Sequence, residues 1–308
     1  MATQSSTPVH ALERKVVLIV HNPSIPEMGG RPLSAVYGWN DPDMLVADFI
    51  EEIAHCSHGA ARFTLRERID VDEFPRLADG FRYSAESFVR CWRERRGFHD
   101  PWLVDYPLLA AQFNLVEKIR TGYVDEVWLF AFPYAGYYES IMAGPGAFWC
   151  NSPPLAGLEA GGRRFVIMGF NFERGVGEML ESFGHRAESI LRQAYRGMRG
   201  GRNLWERFTR YDLTHPGRAE VGNVHFAPNS ARDYDWGNRR LVRSRCDDWL
   251  YFPDLRGREK VVDCAEWGGG EIRLHHRWWL RHFPHGGGET GGVSNNWWEY
   301  VMDPERVR

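Results

Sequence analysis

Four side chains that could bind a metal ion or transfer protons recur at helical spacing: Glu178, Glu181, His185 and Glu188. With Glu178 at zero and about 100° per residue, the four fall in one arc about 80° wide. Neighbouring members are three or four residues apart, so their side chains can converge on one ion. Imidazole with carboxylate is a ligand set that suits zinc or iron(II).

Histidines in the chain after this helix could complete a metal site. His225 stands in the segment NVHFAPN, and four more follow it: His275, His276, His282 and His285. Consecutive elements are usually adjacent in space, so we expect this late segment to cover the acidic stripe. Carboxylates buried in this way must be paired or bound to a metal, because burying an isolated charge is costly.

The sequence therefore favours zinc or another divalent metal held by Glu181, His185 and His225. The chain would then be a metal-dependent hydrolase of an amide, ester or glycosidic bond, with Glu188 or Glu178 as the general base. The pair His185 and Glu188, followed at a distance by a further histidine, resembles the ligand pattern of zinc carboxypeptidases in spacing only. No residue's role is taken from this resemblance.

The same helix has an apolar face opposite the stripe, which leaves a second interpretation open. The apolar residues are Val176, Met179, Leu180, Phe183, Ala187, Ile190, Leu191 and Ala194. An ordinary amphipathic helix at a protein surface gives this pattern. Glu181 and His185 would then form at most a weak pair in water.

Three short apolar runs predict the buried strands that must position these groups. They are KVVLIV (15–20), DEVWLFAF (125–132) and RRFVIMGF (163–170), and ARFTLRERIDV (61–71) alternates like an edge strand. Helical patterns follow over 41–57, 105–120 and 175–194. This alternation predicts an α/β fold with a doubly wound, mostly parallel sheet.

The pattern changes after residue 200 to short segments separated by Gly, Pro, Asn and Asp. We expect residues 1–200 to form the α/β layer. Residues 201–308 would form an irregular, loop-rich lobe, rich in Trp and His, that packs on it.

Ligands of open parallel sheets bind beyond the carboxyl ends of the strands. The residues that stand there are His21, Asn22, Tyr134, Glu139, Asn171, Glu173 and Arg174. Of these, Glu139 and Glu173 join Glu178 as candidate catalytic carboxylates. His21, alone after its strand, fits a hydrogen-bonded structural histidine better than a catalytic one.

Two alternative functions use other features. Paired carboxylates could serve a metal-free, sugar-active enzyme, with late tryptophans stacking on the sugar ring. The Trp-rich segment could also be a noncatalytic carbohydrate-binding module. No dinucleotide-binding G-x-G-x-x-G run follows any of the three buried strands, and P-loop and nucleophile-elbow motifs are missing from the sequence.

The expected partner is a small-molecule, peptide or glycan substrate, since the composition argues against nucleic acid and membranes. A net charge of −3 over 308 residues gives no basic field for nucleic acid. Residues 1–15 lack the pattern of a secretory signal, and no run nears the ~20 apolar residues that span a membrane, so we expect a cytoplasmic protein. Five widely spaced cysteines indicate no disulfide framework, although Cys246 and Cys264 could pair in an exported chain. The oligomeric state does not follow from the sequence.

Overall fold

The computed structural model describes residues 11–308. The expectation of a cytoplasmic protein rests in part on residues 1–10, which lie outside the described residues. Among the residues that are described, every helix is too short or too polar to cross a bilayer.

The secondary structure alternates strands and helices before residue 195 and is sparser after it. The strands are β1 (Leu12–His21), β2 (Ser24–Ile25), β3 (Arg31–Pro32), β4 (Ala61–Val71), β5 (Glu126–Ala131), β6 (Ser140–Ala143), β7 (Phe165–Asn171), β8 (Val242–Ser244), β9 (Lys260–Val262), β10 (His285–Thr290) and β11 (Val293–Asn296). The helices are α1 (Leu33–Tyr37), α2 (Pro42–Cys56), α3 (Ala85–Glu94), α4 (Tyr106–Gln112), α5 (Leu115–Arg120), α6 (Val176–Ala194), α7 (Leu204–Phe208), α8 (Ile272–Arg281) and α9 (Trp298–Met302).

A five-stranded sheet in the order β4-β1-β5-β7-β6 forms the centre of the fold. β1 pairs with β5, and β5 with β7, in parallel. β4 runs alongside β1 in the same direction, since Leu12 N donates to Ala60 O and Asn22 N to Val71 O. These pairings confirm the predicted α/β fold with its mostly parallel sheet, and they place β4 at an edge, as predicted.

The opposite edge of the sheet is antiparallel, which the sequence pattern did not reveal. β6 pairs with β7 so that Ser140 faces Met168 and Ala143 faces Phe165. The run SIMA is only four residues long and follows the Tyr-rich loop directly. A strand this short carries too little periodicity to be recognised from sequence alone.

Helices cover both faces of the sheet, as a doubly wound fold requires. On one face, apolar residues of α4 and α5 pack on the strands: Leu109, Leu115 and Ile119 against Val127, Leu129 and Ile167. On the other face, the ring of Phe49 in α2 lies 5.3 Å from that of Trp128 in β5 and 6.0 Å from that of Phe183 in α6. Strands buried on both sides explain the continuous apolar runs of the sequence.

The chain forms two compact units that are each discontinuous in sequence. The sheet unit consists of Arg14–Phe49 and Thr64–Phe183, and the C-terminal unit of the described residues up to Glu13, Ile50–Phe63 and Gly184–Arg308. The domain boundary near residue 200 stays a prediction.

Aromatic rings fill the core of the C-terminal unit. Six of the seven late tryptophans are buried there, and Trp278 is half-buried. The buried six are Trp236, Trp249, Trp267, Trp279, Trp297 and Trp298. These rings stabilise a core and leave little of their surface free to stack on a ligand.

Candidate metal and substrate site

A cleft of about 800 Å³ opens in the sheet unit where β5 and β7 end. Several residues that the sequence placed at strand ends or on the acidic stripe line it: Tyr134, Glu139, Asn171, Arg174, Glu178 and Glu181. Parallel strands end at the same edge of a sheet, so their following loops meet there. The cleft therefore lies where the strand pattern predicted a ligand.

Three of the predicted strand-end residues lie outside the residues that line this cleft: His21, Asn22 and Glu173. Asn22 exchanges two hydrogen bonds with Ser34, which fixes the turn after β1. Glu173 is exposed, and its backbone N–H donates to the side chain of Asn171. A catalytic role for Glu173 has no support from this position.

His21 is a buried histidine held by a tyrosine. Its side chain is 2% exposed, and its Nδ1 lies 2.7 Å from the Tyr137 hydroxyl. Burial, and then the nearby Arg82 guanidinium, lower the pKa of His21 to about 4. It is neutral at pH 7, in agreement with the structural role expected from the sequence.

Aromatic side chains line another part of the cleft. The rings of Phe98 and Tyr134 stack with centroids 3.5 Å apart, and Tyr134 remains 50% exposed. Trp102 is 45% exposed and meets Tyr138 edge to face. Exposed rings in a cleft offer flat apolar surfaces to a sugar, a peptide side chain or another ring.

The three glutamates of the cleft differ in their surroundings. Glu139 is exposed and accepts a hydrogen bond from the Asn151 amide at 2.8 Å. Glu178 accepts from the backbone N–H of Gly175 at 3.0 Å, which stabilises the start of α6. Glu181 is only 7% exposed and is the most deeply buried of the three.

The polar stripe of α6 is shielded from solvent along much of its length. The His185 and Glu188 side chains are 16% and 18% exposed, and Glu181 is buried. The interpretation of the stripe as the solvated side of a surface helix is therefore wrong. Glu181 and His185 stand one turn apart on this helix.

Within the C-terminal unit, the loop after α7 brings His225 against His185. Their Nε2 atoms are 3.0 Å apart, and the rings meet edge to face with centroids separated by 4.7 Å. The expected cover of this part of the stripe by the late segment is thus observed. The hydroxyl of Tyr234 lies 3.0 Å from the same Nε2 of His225.

A carboxylate stands behind each of these two rings. Glu188 places one oxygen 3.5 Å from His185 Nδ1, while its other oxygen accepts from Val224 N at 3.2 Å. Asp233 places an oxygen 3.0 Å from His225 Nδ1. Carboxylates in this position orient metal-binding histidines and fix the hydrogen on Nδ1.

Hydrogens on both Nδ1 atoms would leave the two Nε2 lone pairs facing each other. A cation that both nitrogens share stabilises such a pair. Two nitrogens bound tetrahedrally at ~2.1 Å from zinc lie ~3.3 Å apart, which is close to the distance between Nε2 of His185 and Nε2 of His225. The geometry suits a metal ion with imidazole ligands.

Two glycines let the His225 loop reach the helix. A Cβ at Gly184 would come within 2.7 Å of the Val224 side chain, so only glycine permits this approach beside His185. Gly222 has φ +86°, and a Cβ there would meet the Phe226 carbonyl oxygen at 2.1 Å. The turn that presents His225 therefore requires glycine at its start.

The sequence patterns gave no indication of several residues of these sites. Asp233 and Tyr234 lie in an irregular loop, and Phe98 and Trp102 lie in another. The dipeptide Asp233-Tyr234, shortly after His225 in a Gly- and Asn-rich segment, is the one local signal that points to a second carboxylate near that histidine.

Comparisons of the chain with protein-family models, with curated proteins and with solved structures found no match.

Proposed function

We propose that this chain is a metal-dependent hydrolase of an amide, ester or glycosidic bond, with His185, His225 and Glu181 as ligands of a zinc-like ion. The observation that carries the proposal is the pair of Nε2 atoms 3.0 Å apart with a carboxylate behind each ring. Glu181 adds an anionic ligand one helical turn before His185. Such an ion polarises a carbonyl group and lowers the pKa of a bound water.

We propose a positioning role for Glu188 in place of the general base. Both of its oxygens face protein groups, Val224 N and His185 Nδ1, so it orients a ligand and holds the loop. Glu178, which lines the cleft, is the better placed general base of the two. Glu181 also lines this cleft.

Metal content and activity test this proposal together. We expect the purified chain to hold about one zinc-like ion per molecule and to cleave chromogenic amide, ester or glycoside substrates. Chelation should abolish this activity, and added Zn²⁺ should restore it. His185→Ala and His225→Ala should each lose metal and activity. His215→Ala changes an exposed histidine of the same unit and should lose neither.

Two results would contradict the proposal. One is a chain that holds no metal and gains no thermal stability when Zn²⁺ is added. The other is metal binding that both histidine variants retain at full affinity.

A metal-free, sugar-active enzyme is the second candidate. The observation in its favour is that Glu139 and Glu178 share the cleft with the exposed rings of Trp102 and Tyr134. This alternative predicts glycosidase activity that survives chelation and is lost in Glu139→Gln and Glu178→Gln. Chelation thus separates the two candidates.

A further inference from the structure

A second group of metal-ligand types lies in the C-terminal unit, apart from the histidines described above. Cys246 and Asp247 begin the 3₁₀ turn Cys246–Tyr251 that follows β8, and His282 caps the end of α8. One potential ligand atom from each of the three lies within 4.8 Å of the others. The Asp247 Oδ1 atom is 3.8 Å from Cys246 Sγ and 3.9 Å from His282 Nε2.

The orientation of His282 is set by the helix that carries it. Its Nδ1 lies 2.7 Å from the Trp278 carbonyl oxygen, four residues earlier, and donates to it. The hydrogen on Nδ1 leaves the lone pair on Nε2, which points at the cluster. His282 is 5% exposed, and its Nε2 is a buried atom with no hydrogen-bond partner among the described residues.

A buried nitrogen without a partner is costly, and a bound ion removes that cost. We infer that Cys246, Asp247 and His282 bind one zinc-like divalent ion. Thiolate, carboxylate and imidazole are together the donor set of a borderline-soft ion such as Zn²⁺. On binding, the Cys246 thiol releases its proton to solvent, and the thiolate and carboxylate then balance the two positive charges of the ion.

The neighbouring charges are compatible with this ion. Lys260 Nζ lies 2.8 Å from the Asp247 carboxylate and 2.5 Å from that of Glu266. Lys260 therefore keeps an ion-pair partner, Glu266, when Asp247 turns an oxygen to the metal. A surface cavity of about 310 Å³ lined by Asp247, His282 and Glu266 gives the ion a path from solvent.

The three ligands would join two distant parts of the C-terminal unit. Cys246 and Asp247 follow β8, whereas His282 ends α8. An ion here would stabilise the packing of the turn after β8 on the end of α8. The site shares no ligand with His185 and His225 and does not rest on the proposed function.

The absorption of a cobalt–thiolate bond distinguishes this site from the His185 and His225 centre, because that centre contains no sulfur. The full-length protein is stripped with chelator, titrated with Co²⁺, and followed by the near-ultraviolet absorption of the cobalt–thiolate bond. We expect this absorption to appear in the wild-type protein and in His185→Ala. It should be abolished in Cys246→Ser.

Further variants distinguish the loss of a metal ligand from a failure of the protein to fold. His282→Ala and Asp247→Asn should weaken cobalt binding more than about tenfold, since even loss of an outer-shell partner costs this much. The side chain of Asp247 is 41% exposed, so this variant keeps the test valid if Cys246→Ser does not fold. Cys264→Ser, which changes a buried cysteine after β9, should bind cobalt as the wild type does.

Three outcomes would overturn the inference. The first is the absence of thiolate absorption in the wild-type protein. The second is absorption that persists in Cys246→Ser, and the third is unchanged affinity in both His282→Ala and Asp247→Asn.

Discussion

The partner of Nδ1 distinguishes the histidines of this protein from one another. Carboxylates stand behind His185 and His225, and a backbone carbonyl stands behind His282. In each case Nε2 is left to act as a ligand. His21 differs, because the Tyr137 hydroxyl contacts its Nδ1. The Nδ1 partner thus distinguishes the proposed ligands His185, His225 and His282 from His21.

Asp233→Asn tests the orienting role of a carboxylate behind His225. We expect metal affinity to fall ~10- to ~100-fold, because the amide no longer strengthens the ligand. Stability without metal should change little, since the Asp233 side chain is 53% exposed. Asp254→Asn is the matched control, because Asp254 is equally exposed and lies outside the site. Equal metal affinity in the two variants, measured by calorimetry, would refute the role of Asp233.

His21 should make the stability of the protein sensitive to acid. Its pKa is lowered to about 4 in the folded chain, against about 6.5 in the unfolded chain. The unfolded chain therefore takes up a proton first as the pH falls. The contribution of His21 to the free energy of unfolding is therefore complete above pH ~6.5. It falls by about 3 kcal/mol as the pH drops from ~6.5 to ~4.

His21→Gln should reduce this loss of unfolding free energy between pH 7 and pH 4.5, as measured by urea denaturation. His55→Gln, at an exposed histidine, should leave it unchanged. An identical pH dependence in wild type and His21→Gln would show that other groups cause the effect.

Helix α6 carries proposed ligands on one face, and the His225 loop packs closely against it at Gly184. Gly184 precedes His185 and allows the Val224 side chain to approach its Cα closely. Val224 also donates its backbone N–H to Glu188. The His225 loop is thus held to the helix at Gly184 and at Glu188. The spacing of the two histidines thus depends on a residue with no side chain.

Gly184→Ala should push the His225 loop away from the helix and weaken metal binding. Overpacking of ~1 to ~3 kcal/mol is offset by a gain of ~1 kcal/mol in helix propensity, so affinity is the better readout than stability. The double variant Gly184→Ala/Val224→Ala makes room for the added methyl group and should recover much of the affinity.

Gly197→Ala serves as the control for Gly184→Ala, because a Cβ at Gly197 meets nothing within 4 Å. If Gly184→Ala binds metal as tightly as Gly197→Ala, the close approach has no influence on the site.

At the scale of the whole molecule, a cleft of about 800 Å³ lies at the carboxyl edge of a parallel sheet. Its walls combine acidic side chains with the half-exposed rings of Trp102 and Tyr134. A mixed lining of this kind binds ligands that have both apolar faces and polar groups. Peptides and glycans fit that description.

Trp102→Ala should raise KM for the substrate several-fold and leave kcat nearly unchanged, because the ring binds ground state and transition state alike. Trp149→Ala is the matched control, since Trp149 is 55% exposed and does not line the cleft. Steady-state kinetics that show equal KM for the two variants would exclude Trp102 from substrate binding.

Local periodicity was sufficient to predict the main elements of the sheet unit. The apolar runs identified β1, β5 and β7, and the alternating run identified β4 as an edge strand. The helical spacing likewise placed Glu181, His185 and Glu188 on one side of α6. Each of these features depends on residues within a few positions of one another, so the sequence alone encodes them.

Only the tertiary structure decided which of these groups meet. His225 contacts His185, which lies 40 residues earlier in the chain. Asp233 and Tyr234, from the same irregular loop as His225, contact its ring. The packing of the turn after β8 near the end of α8 similarly brings Cys246 close to His282. Contacts between distant segments depend on loop paths and on glycines such as Gly184, and neither leaves a periodic signal in the sequence.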